Sequence, residues 1–141
     1  MKKDQQGTIA VGGAVSVAAA AKAQWIAENL KVGEVYAGLI LGVNGAPDHH
    51  LVLLPGQAED VSWAGAKEFA TKLGGELPTR REQALLYANL KHEFEPRYYW
   101  SSEQHASDDD SAWSQHFNHG GQSRDIKSAR LRARAVRRLP I

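Results

Sequence analysis

The chain contains no cysteine. Disulfides, thiolate catalysis and cysteine-ligated zinc are therefore excluded, and nothing marks an oxidising compartment. A long apolar run is missing as well. The longest, "TIAVGGAVSVAAAA", is fourteen residues of mostly Ala, Gly and Val, short of the roughly 20 a membrane helix requires, so no membrane span is expected. "MKK" with "AKA" at 21–23 has the outline of a signal peptide, but Asp4 and the weak hydrophobicity argue against one. There is no G-x-S-x-G elbow, no P-loop and no H-E-x-x-H pair. With no catalytic grouping or cofactor motif standing out, the chain is expected not to be an enzyme and to need no cofactor.

What is present suits one main domain. At 141 residues a single core can bury roughly 68% of the surface its unfolded chain exposes, without staples. The formal charge of +1 hides an asymmetry: residues 122–141 hold seven Lys or Arg against Asp125 alone, and the remainder is net acidic. Arguments about partners must therefore be made region by region.

Residues 16–30, "SVAAAAKAQWIAENL", are rich in helix formers, with Trp25, Ile26 and Leu30 on one stripe. The preceding "TIAVGG" reads as an extended arm. Residues 1–32 are thus an N-terminal arm and helix serving oligomerisation or attachment, and 33–141 the folded domain. "EVYAGLILGVNGAPDHHLVLL" reads as a hairpin turning at Asn44-Gly45 and Pro47-Asp48, with His49 and His50 at its tip.

Two helices follow. The first spans about 62–73, with Trp63, Ala66, Ala70 and Leu73 on its apolar side and Gly74-Gly75 as its stop. The second opens at "LPTRREQALLYANL", where Thr79 and Glu82 have the T-x-x-E spacing of a reciprocal cap. Thereafter "RYYWSSE", "AWSQHF" and "ARLRARAVRR" read as antiparallel strands joined by exposed loops, "HASDDDS" among them. A hairpin, two helices and then a small antiparallel sheet with long loops is an α+β order.

Taken together, Trp63, "GGELPTRREQALL", "YYWSSE", "AWSQHF", "GGQ" and the closing "RARAVRR" resemble the C-type-lectin-like domain of bacterial and prophage proteins, the family that includes the C-terminal domain of collagen-like adhesins. The resemblance covers roughly residues 33–138. It implies a C-type-lectin-like fold whose second small sheet carries a ligand-facing loop region. The chain departs from the animal lectins in having no cysteines, and in placing Arg97 where a sugar-binding E-P-N motif has Asn. The cysteine chemistry of the formylglycine-generating enzymes, which share the broad fold, is likewise impossible here.

Alternation in "AWSQHFNHGGQ" puts Trp113, Gln115 and Phe117 toward a core and Ser114, His116 and Asn118 outward. With His119, Gln122 and Arg124 beyond the Gly120-Gly121 turn, and Ser102, Glu103 and His105 after the aromatic strand, these form the expected ligand-binding face. Tyr98, Tyr99 and Trp100 are assigned to the core. No metal site is expected: Asp108, Asp109 and Asp110 lack the EF-hand pattern and read as a flexible solvated loop, and His116 and His119 lie on strand and turn.

The resemblance implies a phage or prophage binding module, virion-associated or surface-displayed, that recognises a host-surface protein or glycan, or another virion protein. A homo-oligomer would add avidity. The alternative is an intracellular phage accessory protein binding nucleic acid or an acidic host protein through Arg130, Arg132 and Arg134, which alternation places on one strand face. The same arginines could equally keep a terminal strand soluble and pair with the acidic body of the domain.

Overall fold

The structure, a computed structural model, describes the backbone of residues 2–141 and the side chains of 16–141. Contacts divide the chain into a unit ending at Val32 and a unit Gly33–Ile141. The first is a helix, α1 (Lys2–Asn29). It passes through "TIAVGG", where an extended arm was expected. Repeated alanine favours the helix and no proline interrupts it, which outweighs the roughly 1 kcal/mol that each glycine costs. Among the described residues no helix is long and apolar enough to cross a membrane.

The second unit is α+β, with two helices and two sheets. The hairpin is β1 (Val35–Ile40) and β2 (His49–Leu53), joined through Asn44 and Gly45, both at positive φ. It completes a three-stranded sheet with β8 (Val136–Pro140), which pairs with β2 from Leu53↔Val136 to His49↔Pro140. His49 and His50 are therefore ladder residues, and the hairpin tip lies before them. His49 Nε2 is 2.8 Å from Glu82 and His50 Nδ1 is 2.8 Å from the Tyr36 hydroxyl.

The second sheet differs from the small antiparallel one expected. It has five strands in the order β3 (Ala58–Val61), β7 (Leu131–Ala133), β4 (Tyr98–His105), β5 (Asp108–His116), β6 (Gln122–Ile126). The β4–β7 pair is parallel. The long loops are not found at β4–β5, where only Ala106 and Ser107 intervene. Asp108–Asp110, read as a flexible loop, begin β5 instead. The Asp108 carboxylate accepts from the Ser111 hydroxyl and the Asp110 amide, local bonds that hold the segment in the hairpin.

Both faces of this sheet are covered. Tyr99 and Trp100 are successive residues of β4, so they point to opposite sides. Tyr99 joins one cluster with Ala37, Leu51, Leu86, Phe94 and Phe117, under α3 (Arg80–Leu90). Trp100 joins the other with Trp63, Ala66, Ala70, Ala112 and Ala133, under α2 (Trp63–Lys72). Phe94 stacks on Phe117 at 3.9 Å, and the Tyr99 ring meets both edge-on. The indole N–H groups donate to main chain, Trp63 to Ser101 O and Trp100 to Val61 O, so neither buries an unpaired donor. Leu73, placed on the apolar side of α2 by spacing, is instead its half-exposed C-cap.

Three of the seven cations of the basic C-terminal segment are used inside the domain. Arg134 is buried and donates to the carbonyls of Glu93 and Leu54, and burial lowers its pKa. Arg137 pairs with Glu34. Arg138 joins Glu82 and Glu76. The single outward basic face read from alternation is thus divided, since Arg134 faces main chain.

Candidate functional site

An open cleft of about 570 Å³ lies where the first turns of α3 meet β5, β6 and the turn between them. On the helix, Arg80, Ala84 and Tyr87 line it. Their spacing of four and three residues puts them on one face. From the strands and turn come Glu103, Gln115, His119, Gly120 and Gln122.

Local chemistry fixes the helix end. Thr79 caps α3 by accepting from Glu82 N at 3.2 Å, while Glu82 Oε1 accepts from Thr79 N at 2.8 Å, both halves of a capping box. The next free amide, Arg80 N, donates to Glu103 Oε2 at 2.7 Å. A carboxylate from β4 thus sits at the positive end of the helix dipole, which favours it there.

A chain of amides carries order from the core to the cleft. Gln83 is fully buried and donates to Tyr99 O. Gln115 Nε2 donates to Gln83 O, and Gln115 Oε1 accepts from Gln122 Nε2 at 2.8 Å. Gln122 also donates to Arg80 O and accepts from Arg80 Nε at 2.8 Å. The Arg80 guanidinium lies 3.6 Å over the Trp113 ring, an attraction between cation and π-face. Main-chain and side-chain partners together orient these polar groups, so the cleft is shaped before any ligand arrives.

The rim is the turn from β5 into β6. Gly120 N donates to His116 O and His116 N to Gly121 O. Two imidazoles hold it further: His116 Nδ1 accepts from Asn118 N at 3.1 Å and His119 Nδ1 accepts from Gly121 N at 3.0 Å. Their rings stack at 4.6 Å, nearly parallel. Burial, with the adjoining His119 and the charge of Arg97, holds His116 below its ordinary pKa. Tyr87 closes the rim by donating to Asn118 O at 3.2 Å.

Of the nine residues expected on the binding face, Glu103, His119 and Gln122 line the cleft. His105 stacks on Trp113 at 4.9 Å, and His116 and Asn118 support the rim. Arg124 is exposed and reaches Asp108 at 3.6 Å, and Ser102 is half-buried on β4 with its amide donating to Pro78 O. Ser114 is a correction: it is fully buried, and its hydroxyl donates to Asp125 at 2.7 Å. Alternation assigns it to the side away from Gln115, the side on which its strand neighbour Ala112 joins the core cluster of Trp63, Ala66 and Ala70. Trp113 departs too, being half-exposed beneath Arg80 where the cover of α3 ends.

The helix contributions went unread from sequence. Arg80, Arg81, Ala84 and Tyr87 lie in a segment whose capping signal gave it a structural reading, and the spacing of 80, 84 and 87 was the available clue. No protein-family model matches the chain, and no curated protein matches it either.

Proposed function

We propose that residues 33–141 are a non-enzymatic ligand-binding domain of C-type-lectin-like type, acting as a phage or prophage recognition module on a virion or cell surface. The cleft at the start of α3 is its binding site, and the ligand is a component of a host surface, protein or glycan. The observation that carries this reading is the preorganised set Arg80, Gln115, Gln122 and Glu103, fixed by the mutual hydrogen bonds at 2.7 to 2.9 Å described above. Amides, a guanidinium and a phenol on a rigid scaffold are adaptable hydrogen-bonding partners, suited to recognition. The motif resemblance over residues 33–138 and the α+β architecture agree with it.

The test is binding of the purified chain to bacterial envelope fractions and, in parallel, to duplex DNA at two salt concentrations, with an Arg80→Ala, Gln122→Ala variant alongside. Envelope binding that falls at least about tenfold in the folded variant, equivalent to about 1.4 kcal/mol, supports the cleft. DNA binding that weakens steeply between low and physiological salt, with no envelope signal, would overturn it in favour of a nucleic-acid role.

A further inference from the structure

With Arg134, Arg137 and Arg138 engaged inside the domain and Arg124 set against Asp108, the other two arginines of the basic segment meet at a different place. Arg130 and Arg132, flanking Leu131, line a second pocket of about 290 Å³ with Arg97, Tyr98, Glu59 and Asp60. Arg97 comes from the loop before β4, so two distant stretches of chain bring three guanidiniums to one pocket.

Each guanidinium has five N–H donors, and the protein uses few of them. Arg97 Nη1 donates to the carbonyl of Pro96 at 2.9 Å, and Arg130 Nη1 to that of Asp60 at 3.1 Å. Arg132 Nη1 meets Glu59 at 2.9 Å. Three cations face two carboxylates, leaving the pocket net positive and rich in donors. The missing complement is a compact acceptor with several oxygens. Guanidinium forks bind such oxyanions in bidentate fashion, and the charge-assisted bonds are the strong ones.

We propose that this pocket binds a single phosphate or sulfate group, as a free ion or as the monoester of a sugar. One pocket is a smaller target than a nucleic-acid backbone, which needs a row of cations along a groove. The Tyr98 ring, packed edge-on against His116 at 4.6 Å, and Leu131 offer apolar surface to the carbon side of an ester. The site is separate from the cleft and stands or falls without it.

The experiment is amide-resolved NMR titration of the full chain at low ionic strength with inorganic phosphate, with sulfate, with a sugar phosphomonoester, and with sodium chloride at matched ionic strength. The oxyanions should produce saturable shifts at residues 59–60, 97–98 and 130–132. Tighter binding of the ester than of phosphate identifies the ester as the source, and equal binding the bare ion. Arg97 and Arg130 are exposed, so an Arg97→Gln, Arg130→Gln variant should keep its fold, with changes confined to the pocket and to His116, whose titration feels the Arg97 charge. It should bind phosphate at least about tenfold more weakly, since losing even one of the two guanidinium forks removes a charge-assisted bond of that size. Shifts reproduced by sodium chloride, or unchanged in the variant, would overturn the proposal.

Discussion

Arg138 sets Nε and an Nη on the two carboxylate oxygens of Glu82, at 2.7 and 2.8 Å. Glu82 also caps α3 and meets His49, so one buried carboxylate ties the helix to β8 and β2. Burial alone would raise its pKa, but the bonds from Arg138 and the Thr79 amide, the charge of Arg138 and the bond to His49 together lower it.

Replacing Glu82 with Gln retains an oxygen for the cap and leaves Arg138 with only the exposed Glu76 as its anion. Breaking a buried pair from one side costs about 3 to 5 kcal/mol, and partial exposure of Arg138 puts the expectation below that range, at about 2 to 3 kcal/mol. Urea unfolding of Glu82→Gln measures this, and a loss below about 1 kcal/mol would place the pair among weak surface bridges. Because the folded pKa lies below 4.5, the folded state binds fewer protons than the unfolded one. This contribution is present above pH 4.5 and is lost as pH falls through the folded value.

His116, stacked on His119, makes the rim sensitive to acid. Its Nδ1 accepts the Asn118 N–H, which requires the neutral ring with its proton on Nε2. Protonating His116 would replace an acceptor by a donor facing Asn118 N, beside His119 and Arg97. Its folded pKa lies below 6.5, so stability from this group is held above that pH and declines as pH falls through the folded value. Histidine ring resonances should give His116 a midpoint below 6.5, and His119→Gln should raise it. A midpoint at or above 6.5 would show the stack to be without consequence.

Gly120 has φ +82°, and a Cβ there would stand 2.8 Å from the Tyr87 ring. Gly120→Ala should therefore cost about 1 to 2 kcal/mol through the left-handed backbone alone. Displacement of Tyr87 should also loosen its bond to Asn118 O. Hydrogen exchange at residues 118–121 should quicken relative to the core strands, and unchanged protection would mean that the turn absorbs the methyl.

Ser114 provides a contrast between core and binding face. Its hydroxyl is buried against Asp125, so Ser114→Ala should lower stability by about 1 to 2 kcal/mol while leaving envelope binding unchanged. A variant that binds worse at full stability would return Ser114 to the site.

How much of this was legible follows from the range of each signal. The Thr79-x-x-Glu82 cap was readable in both halves because its chemistry is local. The Arg138 bond to the same Glu82 crosses 56 residues, and no local pattern announces it. Alternation along β5 sorted Ser114 from Gln115 correctly, but it carries no word on whether the second face is covered. Short polar β3, holding Asp60 at φ +55°, showed no strand pattern. The cleft was half visible for the same reason: its strand and turn residues lie in two stretches that start in the aromatic strands, while Arg80 and Tyr87 arrive from a helix.

The placement of β8 has a consequence for how the domain comes into being. This strand follows all the others in the chain, yet it completes the first sheet by pairing with β2, and its Val136 bridges Glu76 as well. During synthesis the β1–β2 hairpin must wait beside an unfilled edge, a state open to mispairing with other chains. Folding of this domain should therefore be late and all at once, paced by closure of its longest loop.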